Sequence, residues 1–172
     1  MAAFGEDEID ACIPIWNLFQ NGAVTLFRSR DLWDQTLTQL QAHGYTTVVV
    51  DCSDSDEPTL LFSIVDSLQI PRFPNITLDG FNDFMSQLDF GNDTGVVVCL
   101  DRFDDFQARL PQTAQVILDI LADAHRHEIL VGNRLATIVQ SDNAPIDRSI
   151  GKIGGFTPQW NTEEWMNRDR GL

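Results

Sequence analysis

Two runs in this chain, Thr46-Thr47-Val48-Val49-Val50 and Gly95-Val96-Val97-Val98-Cys99-Leu100, are β-branched and apolar almost throughout, with no polar alternation. A strand with one wet face alternates with period two. A strand apolar at successive positions is buried on both faces, which is the pattern of a parallel sheet covered by helices. Gly44 and the acidic turn from Asp51 bound the first run, and Gly91-Asn92-Asp93 precedes the second.

The remaining segments fit the same architecture. Ala23 to Phe27 and residues 134–140 read as further strands. A helix is predicted over 31–42, capped by Ser29 or Asp31, with Leu32, Trp33, Leu37 and Leu40 on one face. Another covers 58–68, with Leu60, Leu61, Ile64, Val65 and Leu68 inward. A third runs from its N-cap Thr77 to about Leu88, with Leu78, Phe81, Phe84, Met85 and Leu88 as its stripe. Asp101 to Leu110 reads as an acidic loop or short helix, and 112–126 as a helix after Pro111. Strands alternating with helices give an α/β fold, a small, mainly parallel sheet flanked by helices with right-handed crossovers. From Asp142 on, periodicity is lost, with Trp160 and Trp165 as the exceptions in that polar tail.

Charge narrows the function. The 172 residues carry 26 acids against 11 bases, a net charge of −15. Neutralising phosphates needs a basic surface, so nucleic acid is excluded as a partner, and so is an anionic membrane. A basic protein is the complementary partner. Met1 to Asp10 lacks the basic and apolar regions of a signal peptide, and no apolar run reaches the roughly 18 residues of a membrane span. Cys12, Cys52 and Cys99 show neither zinc spacing nor a disulfide framework and read as buried free thiols in a reducing compartment. A cytoplasmic protein is expected.

Catalytic constellations are weak. Asp51-Cys52-Ser53-Asp54-Ser55-Asp56-Glu57 follows a strand, where α/β sheets bind ligands, and its carboxylates suit Mg²⁺. Ser53 stands where a phosphatase-like site needs a second Asp, and the only Lys is Lys152 in the tail. The plain alternative is a solvated turn whose acids favour the next helix dipole. His125 and His127 project about 200° apart on a helix, poor metal geometry. Gly151-Lys152-Ile153-Gly154-Gly155 lacks the order of a phosphate loop, and no Gly-x-Ser-x-Gly occurs. No catalytic residue, metal site or cofactor is assigned, and no enzyme activity is expected.

The segment Pro71-Arg72-Phe73-Pro74-Asn75-Ile76-Thr77-Leu78-Asp79-Gly80-Phe81-Asn82-Asp83 is more informative. Asp79 and Asp83, one helical turn apart, share a face. Alone, this pair describes a merely solvated face equally well. Together with the strand ending Val48-Val49-Val50-Asp51, the helix containing Leu61-Phe62 and Leu68, the strand Gly95–Leu100, the helix Ile117–Ala124 and the strand Ala136-Thr137-Ile138-Val139, the chain from about Tyr45 to Ser141 resembles the barstar family of intracellular ribonuclease inhibitors.

The resemblance implies a three-layer α/β domain at 45–141. It leaves an N-terminal extension, 1–44, whose strand and helix are expected to join the sheet, and a tail, 142–172. It implies that the helix from Leu78 and its preceding loop plug a basic ribonuclease or nuclease toxin, with carboxylates standing where RNA phosphates sit. Asp79 and Asp83 match the family's principal acidic contacts. Phe73 falls at an aromatic that stacks on the enzyme, Asp123 near a later acidic contact, and Asn75, Thr77 and Asn82 on the same surface. Phe73 lacks the usual hydroxyl, Asn82 replaces a usual Trp, and Pro74-Asn75-Ile76-Thr77 replaces a Gly-containing loop, so a target other than barnase is allowed. A monomer is favoured. A barstar-like module with a target that is not a nuclease is the alternative, and a metal-dependent α/β enzyme is a distant third.

Overall fold

The computed structural model describes residues 4–5, 13–20, 22–69, 76–91 and 93–172. Phe73, Asn75 and Cys12 lie outside the described residues. In chain order the elements are α1 (Ile13–Gln20), β1 (Val24–Phe27), α2 (Arg30–Ala42), β2 (Tyr45–Asp51), α3 (Glu57–Ser67), α4 (Leu78–Met85), β3 (Gly95–Asp101), α5 (Phe103–Arg109), α6 (Pro111–Val131), β4 (Leu135–Gln140) and β5 (Gln159–Trp160).

The strands form one parallel sheet in the order β2-β3-β4-β1-β5. Burial on both faces explains the unbroken apolar strands. Along β3, Val96, Val98 and Leu100 enter a core with Leu60, Leu61, Ile64, Phe81, Ile117 and Leu121 of α3, α4 and α6. Val97 and Cys99 enter the opposite core with Ile15, Leu18, Phe19, Trp33 and Leu40 of α1 and α2. The fold is therefore an α/β sandwich of three layers, with α1 and α2 on one face and α3 to α6 on the other.

Side-chain caps set the starts of α2, α3 and α4. Ser29 accepts from Leu32 N–H, Asp56 from Thr59 N–H and Thr77 from Gly80 N–H. Three features differ from the sequence expectation. The helix α1 was not anticipated; eight residues with one Pro give too little periodicity, yet Ile15, Leu18 and Phe19 are buried. The helix α6 continues past the predicted end at 126 to Val131 and stops at Gly132, whose φ is 98°. Its inward stripe continues through His125 and Glu128, polar residues that interrupt the apolar pattern but are buried and bonded, His125 to the Leu135 carbonyl and Glu128 to Asn133 at 2.7 Å. The fifth strand, β5, comes from the tail and pairs with β1 through Thr25–Gln159 and Leu26–Trp160.

The tail reaches β1 after crossing the outside of α6. There Gly151 N–H donates to Gln115 Oε1 and Gly154 N–H to Asp119 Oδ1, both at 2.8 Å. Trp160 is buried with the guanidinium of Arg170 over its ring, while Trp165 is 69% exposed.

Candidate functional site

The helix α4 is anchored by its inner face. Phe81 and Met85 are fully buried, and Leu78 and Phe84 pack partly against the same core. The amphipathic pattern then sends Asp79, Asn82 and Asp83 to solvent. Thr77 caps the helix through Gly80 N–H at 3.2 Å, and Asp79 sits in the first turn, where the helix dipole favours a negative charge. Among the described residues, neither Asp79 nor Asp83 has an ion-pair partner. Two carboxylates one turn apart on a short, well-anchored helix form a preorganised acidic edge.

Asp123 lies on α6, against which α4 packs, and is also exposed. Its state differs: it is ion-paired with Arg126, which also donates to the Gly154 carbonyl at 2.6 Å. The i, i+3 spacing of the two residues on one helix brings them together.

The second region is the carboxyl end of the sheet. The Asp51 carboxylate accepts from Ser53 N–H at 3.0 Å and Ser53 Oγ–H at 2.8 Å and is ion-paired with Arg102. These contacts, the Ser53 backbone bond foremost, hold its carboxyl below the ordinary range. Asp56 is spent on capping α3, and its bonds to Thr59 likewise lower it. Arg109 closes the turn on the Cys52 and Ser53 carbonyls at 3.2 and 2.6 Å. Burial pushes the thiols of Cys52 and Cys99 far up, consistent with inert packing. His125 is buried against α1 and β4 while His127 is exposed, so the two imidazoles do not converge. Among the described residues no group of three or more His, Cys, Asp or Glu is placed to hold a metal ion, and no helix is long and apolar enough to cross a membrane.

One residue there was not read from the sequence. The β1–α2 connection sits where the strand order reverses, the position at which open α/β sheets bind ligands. Glu164, 4% exposed, fills it from the tail. Its Oε2 accepts from Arg28 N–H and its Oε1 from Ser29 N–H, both at 2.9 Å, and Asn161 Nδ2 donates to Oε2 at 2.6 Å. No local pattern announces a carboxylate that returns across 135 residues to a helix start.

Comparison with known proteins adds a family and a shape. The family described as Barstar (barnase inhibitor) matches residues 45–137, from β2 into β4. No curated protein matches. Among solved structures, the chain is similar to Cdc6p from Pyrobaculum aerophilum, with 17% identity, TM-score 0.59, and 90% of this chain covering 43% of that one. It is also similar to the Aeropyrum pernix ORC2 protein in its ADPNP-ADP complexes, with 17% identity, TM-score 0.56, and 84% covering 42%. A third is Drosophila ORC bound to AT-rich DNA and Cdc6, with 18% identity, TM-score 0.57, and 90% covering 53%. The chain thus spans about half or less of the length of these three structures. At such identities the likeness is one of fold.

Proposed function

Because the chain belongs to the barstar family, we propose that it is an acidic inhibitor that binds a basic ribonuclease or nuclease toxin and blocks its active site with α4. The observation that carries this reading is the pair Asp79 and Asp83, presented by a helix whose other face is locked by Phe81 and Met85. An RNA-cleaving site is built of cations that meet phosphates. Carboxylates one turn apart on an anchored helix bind such cations with little ordering cost. The net charge of −15 steers a basic enzyme toward the chain. The family's founding complex is itself the reference case for such steering, so that expectation follows from membership. On this reading the protein acts as an immunity protein or antitoxin in the cytoplasm, as a monomer.

The nucleotides in the ORC2 structure raise a competing reading, nucleotide binding at the carboxyl end of the sheet. The Glu164 carboxylate on the Arg28 and Ser29 N–H groups argues against it, since a phosphate there meets an anion already in place. We therefore assign no nucleotide site to that crevice. The engagement of Asp123 by Arg126 favours one further alternative, a barstar-like interaction module with a target that is not a nuclease.

The test is capture from cells of the native host on the immobilised chain, with the Asp79→Ala/Asp83→Ala double variant alongside. Recovery by the native chain alone of a basic protein whose RNA cleavage the chain suppresses is the expected result. Capture of a partner without RNA-cleaving activity would establish the interaction-module reading instead.

A further inference from the structure

The extensions build a cleft of about 750 Å³ on the sheet face opposite α4. It lies between α1, α2, the outer edge of β1 and the tail. Among the described residues, every lining residue comes from 14–39 or 159–165, outside the family-matched segment. The volume suits a small molecule.

The chemistry of the lining is unusual for this chain. With 26 acids in the sequence, Glu163 is the only charged residue lining the cleft among the described residues. Leu18, Phe27 and Leu32 form an apolar floor. Above it, Asn17 of α1 and Gln35 and Gln39 of α2 bring carboxamides that make no side-chain hydrogen bond among the described residues. Trp165 offers an exposed indole at the rim.

We propose that this cleft binds an uncharged carbohydrate. A pyranose has an apolar C–H face for one aromatic platform and hydroxyls that donate and accept around its edge. Carboxamides, which do both, together with the Glu163 carboxylate as acceptor, are complementary to that edge. Among the described residues the cleft has no cation for a phosphate or carboxylate, and Glu163 repels such an anion. A nucleobase stacks best between two flat walls, and Trp165 offers one indole face at the rim. The walls are fixed in advance: Glu164 ties the tail to α2 while Asn161 N–H and Nδ2 bond the Leu26 carbonyl at 3.0 and 3.2 Å. Little ordering is left for the ligand to induce.

The test titrates the full chain with glucose, maltose and trehalose to about 10 mM, above the millimolar end of measurable affinity. Tryptophan fluorescence and the side-chain amide signals of Asn17, Gln35 and Gln39 are followed. At least one neutral sugar should shift all these signals, and glucuronate should bind at least about tenfold more weakly than the neutral sugars that bind. Trp165→Ala, at an exposed position, should weaken binding at least about tenfold, and Gln39→Leu should weaken it too. Asp34→Asn, on the same helix but outside the cleft, should leave it unchanged. The proposal is overturned if none of the three sugars shifts these signals, if Trp165→Ala binds as well as the native chain, or if adenosine binds there in their place.

Discussion

Glu164 and Ser29, 135 residues apart, are joined by a 2.9 Å hydrogen bond from the Ser29 backbone N–H to the Glu164 carboxylate. The same carboxylate holds Arg28 N–H and Asn161 Nδ2. A buried anion with three donors at a helix start both caps α2 and closes the crevice between β1 and the tail. Glu164→Ala strands those donors away from water, and each unsatisfied buried group costs about 1–3 kcal/mol. Urea unfolding of this variant should show a loss of at least about 2 kcal/mol, with Glu164→Gln losing less. The native chain should show no thermal shift with ATP. An ATP-induced shift in the native chain would mean that Glu164 does not close the crevice.

The tail should behave as part of the fold. Deleting residues 143–172 removes β5 from the edge of β1, Trp160 from the core and the bonds of Gly151 and Gly154 to α6. The shortened chain should melt lower and bind a hydrophobic dye. Equal melting temperatures and no dye binding would show that the tail adds nothing to the core.

His125 gives the fold a pH dependence. Its Nδ1–H donates to the Leu135 carbonyl, and burial lowers its pKa below the ordinary histidine value. The unfolded chain therefore takes up a proton at about pH 6.5 while the folded chain resists it. Stability is whole above pH 6.5 and falls as pH drops toward the lowered native pKa. Denaturant unfolding between about pH 7.5 and 5 should show this decline, and His125→Phe should flatten it. A native chain with no decline in this window would contradict the assignment of a buried neutral imidazole.

The core of the fold was legible because burial on both faces writes itself directly into β2 and β3 as unbroken apolar runs, and because Ser29 and Thr77 announce α2 and α4. The rest depended on tertiary context. The helix α6 hides its last turns behind His125 and Glu128, whose polarity is satisfied by residues after the helix. Two-residue β5 has no periodicity to read, and Glu164 acquires its role only once the tail has crossed α6. In the candidate site, the acidic face of α4 followed from the Leu78–Phe81–Met85 stripe, whereas the neutralisation of Asp123 by Arg126 was written at i, i+3 and overlooked.

Association with a basic partner should be fast at low salt and slow steeply as ionic strength rises, since the Debye length shortens from about 30 Å at 0.01 M to about 8 Å at 0.15 M. Stopped-flow binding of the captured ribonuclease across this range measures it. A flat salt dependence would contradict an electrostatic encounter.

The central claim is that α4 is the inhibitory element, and affinity for the captured ribonuclease in Asp79→Ala and Asp83→Ala tests it most directly. Each carboxylate facing a desolvated Arg or Lys leaves that cation unpaired when removed. Both residues lie off the buried stripe of Phe81 and Met85, so melting temperature should hold, and loss of Asp83 even relieves repulsion at i, i+4. Asp31→Ala, exposed in the first turn of α2 on the other sheet face, should alter only the association rate. The account predicts that each α4 variant loses at least about 2 kcal/mol of binding while remaining folded. Unchanged affinity in both would contradict it.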